Sequence, residues 1–231
     1  MCRVMIGCPV RNRAWILPHY LQHLIALVYP PEQMEYCFVI NDCTDETELI
    51  LQEFAHRFPV RLLYDNSSRP GGWQRGFYQF SRLAELRNRL LEEFLHSDCT
   101  HLFSVDSDIM VPPATLQQLM QVDKDIVSAL VCNGKEIGDD QFYNVFKQVG
   151  ERLIPIRDFP RHGVFPVDCT GAAYLIKRQV ISAGVRYNSH WGAEDIGFCK
   201  EAKQHGFAIF CHGAIECEHI MSNSQNYRLD S

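Results

Sequence analysis

The chain has 231 residues, 46% of them hydrophobic and 22% charged, with a formal net charge of -6. That composition describes a folded globular protein with a substantial core, built as one α/β domain or two small ones. Basic residues are scattered without a Lys/Arg run, which argues against a nucleic-acid partner or a basic membrane-binding face; no stretch of about 18 apolar residues is present to form a transmembrane segment.

Ten cysteines include no Cys-x-x-Cys pair, and several lie in apolar runs where a free thiol behaves as a small hydrophobe. A strand-like segment starting at Arg3 leaves no room for a secretory leader. Together these predict a reduced, cytoplasmic protein, free or peripheral to a membrane.

Residues 3–8 read as a short apolar strand, and Pro9-Val10-Arg11-Asn12-Arg13 as a polar loop at its carboxyl end. A helix follows with Leu17, Leu21, Leu24, Ile25 and Val28 on one stripe, Pro18 tolerated in its first turn, and Tyr29-Pro30-Pro31 as its stop. Residues 36–41 form a second strand and Asp42-Cys43-Thr44 a second loop. Asp45, with Glu48 three residues on, is a predicted N-cap for a helix that buries Ile50, Leu51, Phe54 and Phe58. Residues 60–64 are a third strand, and the glycines, proline and serines of 65–76 mark a loop.

From 77 to 95 runs a long amphipathic helix whose stripe is Phe77, Phe80, Ala84, Arg87, Leu91 and Phe94. An arginine on that stripe either snorkels or pairs with a core carboxylate, or it reaches a ligand at the sheet edge. Residue types alone leave both open.

Residues 101–112 carry the chemistry most plainly. An apolar run ends in Asp106-Ser107-Asp108, and a Pro-Pro pair stops the segment. On an extended backbone residues i and i+2 project to one side, so Asp106 and Asp108 are predicted to converge on one hard cation with Ser107 pointing away. Such oxygen ligands suit Mg²⁺ or Mn²⁺. A short helix at 114–122 and a strand at 125–132 follow. Strands alternating with helices imply a mostly parallel sheet covered on both faces, with ligands beyond the carboxyl ends of the strands. The loops at 9–13, 41–44 and 106–108 would then line one site.

The second half is less regular. Residues 134–140 are polar, 142–146 and 152–156 are predicted antiparallel strands, and 157–163 is a basic loop. Cys169-Thr170-Gly171-Ala172 places small residues ahead of an apolar strand, permitting close backbone approach. Trp191-Gly192-Ala193-Glu194-Asp195-Ile196 opens a helix to Gln204 with Gly206 as its stop. Glu194 and Asp195 either cap that helix or form an ionised group beside a pocket shaped by Trp191 and Gly192. Residues 207–211 and 215–218 are the last apolar segments, His219 stands just past them, and a polar tail closes the chain.

Taken in order, the loop at Pro9 to Arg13, Asn41-Asp42-Cys43-Thr44-Asp45, Leu86-Arg87-Asn88, Val105-Asp106-Ser107-Asp108, Thr170-Gly171-Ala172, Glu194-Asp195 and the late His219 resemble a GT-A-fold glycosyltransferase of the family 2 type. A fainter likeness to the Anp1/Mnn9 mannosyltransferases, which are retaining, lies in Arg11-Asn12-Arg13 ahead of Tyr20-Leu21, and in Pro113 ahead of Asp123-Lys124-Asp125-Ile126. The resemblance covers nearly the whole chain. It implies a single Rossmann-like GT-A domain over 1–231: a nucleotide-binding half (1–132), an acceptor and catalytic half with a smaller mixed or antiparallel portion (133–219), and a mobile tail (220–231).

The resemblance implies a metal-dependent transfer of sugar from a UDP- or GDP-sugar to a hydroxyl of a glycan, lipid carrier or peptide, with inversion. It matches Pro9, Val10 and Arg11 to the loop that packs on the nucleoside. Asp42 matches the nucleobase-recognising carboxylate, with Asn41 replacing a second one, and Arg87 and Asn88 match the helix pair facing base and ribose. Asp106, Asp108 and His219 match metal ligands for Mn²⁺ or Mg²⁺, and Ser107 joins Asp106 among the donor-binding residues. Asp195 of the Glu194-Asp195 motif matches the catalytic base, and Trp191 becomes part of a stacking wall. Closure against water falls to 66–74, 134–140 and the tail.

Three other chemistries share parts of this pattern. Aspartate-nucleophile phosphatases carry Asp-x-Asp on the first strand rather than the fourth, and nucleotidyltransferases need a glycine-rich loop that 9–13 lacks. Cys211, His212, Cys217 and His219 fit no zinc spacing.

Overall fold

The computed structural model describes residues 2–66, 79–135 and 138–221. Its first half alternates as the periodicity predicts: β1 (Val4–Val10), α1 (Leu17–Ile25), β2 (Met34–Ile40), α2 (Thr47–Ala55), β3 (Val60–Tyr64), α3 (Phe80–His96) and β4 (His101–Val105). Then come β5 (Ile109–Met110), α4 (Thr115–Val122), β6 (Ile126–Val131), β7 (Phe146–Val149), β8 (Arg152–Pro155) and β9 (Val164–Val167). The last elements are β10 (Ala173–Lys177), α5 (Arg178–Ser182), α6 (Glu194–Gln204) and β11 (Ile209–His219).

Among the described residues one nine-stranded sheet runs in the order β3-β2-β1-β4-β10-β6-β11-β5, with β9 on β11 as well, while β7 and β8 form a separate hairpin. β3, β2, β1 and β4 are parallel. β10 is antiparallel to both β4 and β6, so it lies reversed between strands of one direction, and β11 returns parallel to β6. The mostly parallel α/β sheet of a GT-A fold is therefore present. Its two sequence halves share that sheet, because β10 and β11 flank β6.

Strand alternation assigns the helices. Val4, Ile6, Cys8, Val10, Phe103, Val105, Ala173 and Leu175 face the core under α1, α2 and α4; Met5, Leu102, Tyr174 and Ile176 face the core under α3, α5 and α6. Residues two apart share a face, so each strand feeds both cores, and helices cover both sides as expected.

Several boundaries differ from the sequence reading. β1 continues to Val10, so Pro9 and Val10 are strand rather than loop. α1 ends at Ile25, three residues before Val28, and Ile25 and Val28 are 41% and 52% exposed, so the last two members of the predicted stripe face solvent. The hairpin begins at Phe146 rather than 142, and β9 and α5 lie where no element was predicted. The two final apolar segments are one strand with an irregularity between His212 and Glu216, and His219 is its last residue rather than beyond it. Residues 67–76 of the predicted loop, Phe77, positions 136–137 of the 134–140 loop and 222–231 of the tail lie outside the described residues.

Candidate active site

The carboxyl ends of β1, β2 and β4 lie side by side because β1 pairs with both neighbours. At the first two, Asn12 and Asp42 take positive φ values of 49 and 43, a conformation Asn and Asp tolerate better than most residues. The Thr44 amide donates to Asn12 Oδ1 at 2.8 Å, stitching the two loops together. Buried Asn41 donates from Nδ2 to Asp42 Oδ2 at 2.9 Å and to the Asp65 carbonyl at 3.0 Å, and the Asp42 amide donates to Asn66 Oδ1 at 3.3 Å. The N-cap of α2 is Glu46 rather than the predicted Asp45, which stands one residue earlier and accepts the Thr47 amide at 3.1 Å and the Ala14 amide at 3.0 Å. Pro9 and Arg11 are half-buried and Val10 is buried at this edge.

After β4 the chain does not stay extended. Ile109 N–H donates to the Asp106 carbonyl at 2.9 Å, closing a turn, so the predicted i, i+2 convergence of Asp106 and Asp108 does not form by strand geometry. The two carboxylates take different partners, and Ser107 between them is buried. Asp106 accepts from Arg87 Nη2 at 2.8 Å. Asp108 accepts from Arg13 Nη2 at 3.2 Å on Oδ2, while its Oδ1 lies 3.8 Å from His219 Nε2.

His219 reaches Asp108 because β11 ends against β5, pairing His219 with Ile109. Its Nδ1 lies 3.1 Å from Asn133 Oδ1, a contact in which the ring N–H donates to the amide oxygen and which turns the Nε2 edge toward Asp108. Among the described residues no group of three or more His, Cys, Asp or Glu side chains converges as a metal cage. The donor chemistry of Asp108 and His219 nevertheless fits a Mg²⁺ or Mn²⁺ that takes its remaining ligands from water and substrate phosphates.

Arg87 lies on the inner stripe of α3, 4% exposed, and its partners are the core carboxylates of the first alternative. Besides Asp106 it donates from Nε to Glu194 Oε1 at 3.1 Å and from Nη1 to Ser104 Oγ at 3.4 Å. It thus ties the turn after β4 to the first turn of α6. Asn88, one residue on, spends both ends of its amide on the backbone of Tyr187, at 2.9 Å each.

Asp195 sits beside Glu194 at the start of α6. A methyl group at Gly171 would lie 2.1 Å from Asp195 Oδ2, so the close approach expected at Thr170-Gly171-Ala172 is made by a carboxylate. Ala172 holds φ at 68, strained for alanine, and its carbonyl accepts the Asp106 amide at 2.8 Å. Tyr174 O–H donates to Asp195 Oδ1 at 3.1 Å. Burial raises the Asp195 carboxyl to about 8; Arg87 opposes this, and Glu194 and Asp106 add to it. Asp106 is raised as well, by burial first, against Arg87 and with Asp108. Of Asp106, Asp108, Glu194 and Asp195, three pair with two guanidiniums, Arg87 and Arg13, while Asp195 takes the Tyr174 hydroxyl.

Trp191 stands apart from this network, 40% exposed, with Lys200 Nζ 5.1 Å from its ring centroid and His190 edge-on. Sequence reasoning placed Arg13 in a site-lining loop without giving it a role, and it missed Asn133, Asn144 and Tyr187. Buried Asn144 donates to the carbonyls of Ala129 at 3.1 Å and Gly171 at 2.8 Å, and accepts the Val131 amide at 2.8 Å, fixing the strap under Asp195 to β6. The available signal was the single amide of Asn144 set between the apolar neighbours Tyr143 and Val145.

A family model described as glycosyltransferase family 25, N-terminal domain, matches residues 1–212. Human procollagen-lysine,2-oxoglutarate 5-dioxygenase 2 is 23% identical over 98% of this chain and 32% of its own length. Human procollagen galactosyltransferase 2 is 23% identical over 90% of this chain and 36% of its own length. The chain therefore spans about a third of the length of these relatives. Among solved structures, S. aureus TarS 1-349 in complex with UDP-GlcNAc superposes with a TM-score of 0.64 at 15% identity, covering 97% of this chain and 61% of that one. The mannosyltransferase PcManGT from Pyrobaculum calidifontis, in complex with GDP-Man and Mn²⁺, gives 0.63 at 17%, covering 97% and 58%. These likenesses concern the fold.

Proposed function

Because the chain belongs to the family of glycosyltransferase family 25 N-terminal domains, we propose that it moves a sugar from a UDP- or GDP-linked donor to an acceptor hydroxyl, with Asp108 and His219 holding a divalent cation. The observation that carries this reading is the Arg87 tie, which brings the Asp106-Ser107-Asp108 turn and the Glu194-Asp195 pair to one sheet edge. When bound, the cation supplies a Lewis acid for the departing diphosphate. Asp106 and Ser107 lie beside that position, and Arg11, Asn41 and Asp42 with Pro9 and Val10 form the nucleoside end.

Asp195 is the base. Its Oδ2, the oxygen not engaged by Tyr174, takes the acceptor hydroxyl proton as the hydroxyl attacks the sugar. A carboxyl raised to about 8 binds that proton more firmly than an ordinary aspartate does. A single displacement with one base inverts the anomeric centre. Glu194, paired with Arg87, holds the network in place, and Asn88 acts through Tyr187 rather than on the ribose. Trp191 offers an exposed ring for a sugar to stack on. Residues 1–132, joined by His219, serve the donor, and the rest of 133–219 serves the acceptor and the catalytic step. The relatives named for procollagen favour a polypeptide acceptor among the three classes. Ten unpaired thiols support a reducing, cytoplasmic setting; among the described residues no helix is long and apolar enough to cross a membrane.

The test is incubation with UDP- and GDP-sugars, with and without Mn²⁺, with the product followed by anomeric NMR. Metal-stimulated release of a nucleoside diphosphate and an inverted linkage are expected. Cleavage of a simple phosphate monoester without sugar transfer would sink the reading, and a retained linkage would remove Asp195 as the base.

A further inference from the structure

The mechanism above uses neither phenol of a buried tyrosine pair. A phenol inside an apolar core needs a partner, and these two find each other and the active-site acid. Alternation along β10 sends Tyr174 toward α3 and α6 while Ala173 and Leu175 go to the opposite face. There its O–H donates to Asp195 Oδ1 at 3.1 Å, and its oxygen also lies against the Tyr187 hydroxyl. With the Tyr174 proton on the carboxylate, the Tyr187 O–H is the donor between the two phenols.

Tyr187 is held from several sides. Asn88 grips its backbone N–H and C=O, Phe198 stacks on its ring at 4.5 Å, and the Arg87 guanidinium lies 5.5 Å from its ring centroid. Phenylalanine would fill the same space without two buried hydroxyls to satisfy. The hydroxyls therefore have a use other than packing.

We propose that Tyr174 and Tyr187 are positioning residues, two phenols in series that hold Asp195 in one rotamer and weaken its hold on a proton. This rests on Asp195 being the base. Oδ1 receives the phenol chain while Oδ2 is bounded by Gly171, so the carboxylate has little freedom to turn. A hydrogen bond donated to a carboxylate favours its ionised form, and a donor polarised by a second donor favours it more. The other groups facing Asp195 act in both senses. Arg87 on α3 favours ionisation, whereas Glu194 on α6 and Asp106 after β4 oppose it; the buried Cys169 thiol is close enough to be raised by Asp195 in turn.

The test uses Tyr174→Phe and Tyr187→Phe, with the Asp195 carboxyl titrated by carbon-13 NMR, assigned against Asp195→Asn, and kcat/KM for transfer followed against pH. In Tyr174→Phe the titration midpoint should rise by about one unit. The kcat/KM profile should follow it, with the donor KM unchanged. Tyr187→Phe should move both in the same direction by less, and it carries the test if Tyr174→Phe does not fold. An unmoved or lowered midpoint in the folded variant overturns the proposal. A raised midpoint with an unmoved kcat/KM profile upholds the phenol chain and removes Asp195 as the base.

Discussion

Gly171 measures how tightly the catalytic acid is set. A β-carbon there would fall 2.1 Å from Asp195 Oδ2 and 2.7 Å from its Cγ, an overlap relieved only by pushing the Asp195 side chain off its Tyr174 hydrogen bond. Gly171→Ala should therefore fold with a loss of no more than about 2 kcal/mol in urea denaturation. Transfer should nevertheless fall by roughly 10²-fold, because a displacement of about 1 Å at a reacting group has that cost. Arg87 shows the opposite balance. It pairs with Asp106 and with Glu194, which is 6% exposed, so Arg87→Ala leaves buried charges unmatched and should destabilise by about 3–5 kcal/mol. Asp195 gives the pH dependence. Its carboxyl is raised from the ordinary range to about 8, and only the ionised form accepts a proton, so transfer should climb as pH rises through about 8. Flat kcat values from pH 6 to pH 9, roughly the span over which such a group titrates, would contradict this.

At the scale of elements, the first half was readable because its helices and buried strands have clean periods and are punctuated by proline and polar turns. α1 closed early because Ala26 ends it and Leu27, not Val28, turns inward. β11 was divided in two because Gly213 and Ala214 look like a break, while the strand in fact bulges there. β9 escaped notice because it is four residues long with only Phe165 and Val167 buried. The site was legible in its acids and hidden in its supports. Asp106, Asp108, Glu194 and Asp195 are spaced like chemistry, whereas Asn144 and Tyr187 matter through partners that only the folded sheet brings near. Asn144→Ala should show this, leaving the Gly171 and Ala129 carbonyls and the Val131 amide short of partners. A loss of about 2 kcal/mol or more in chemical denaturation is expected, with transfer reduced further as the strap under Asp195 loosens.

For the whole molecule, an acidic chain presents carboxylates at the edge where an anionic donor would have to bind. Asp106, Asp108 and Glu194 occupy Arg87 and Arg13 at one edge, with Asp195 beside them, so a nucleoside diphosphate alone should bind weakly and a divalent cation should rescue it. In thermal unfolding, Mn²⁺ with UDP or GDP should raise Tm more than the sum of either alone. Chelation by EDTA should return Tm to that of the free protein. Asp108→Ala should abolish the joint effect while leaving the Tm of the free protein within a few degrees.

The reversed strand β10 also governs the order in which the molecule can mature. Until it is made, β4 is an open parallel edge, and the partners Arg87 and Glu194 stand 107 residues apart in the chain. Contacts of such separation form late, because loop closure must precede them. At ~5–20 residues per second, a nascent chain carries Asp108 for roughly five to twenty seconds before His219 exists. The apolar edge of β4 is exposed for part of that wait, which is the interval in which this chain is most open to pairing with another copy. A molecule that holds the Asp108–His219 pair has already closed its sheet.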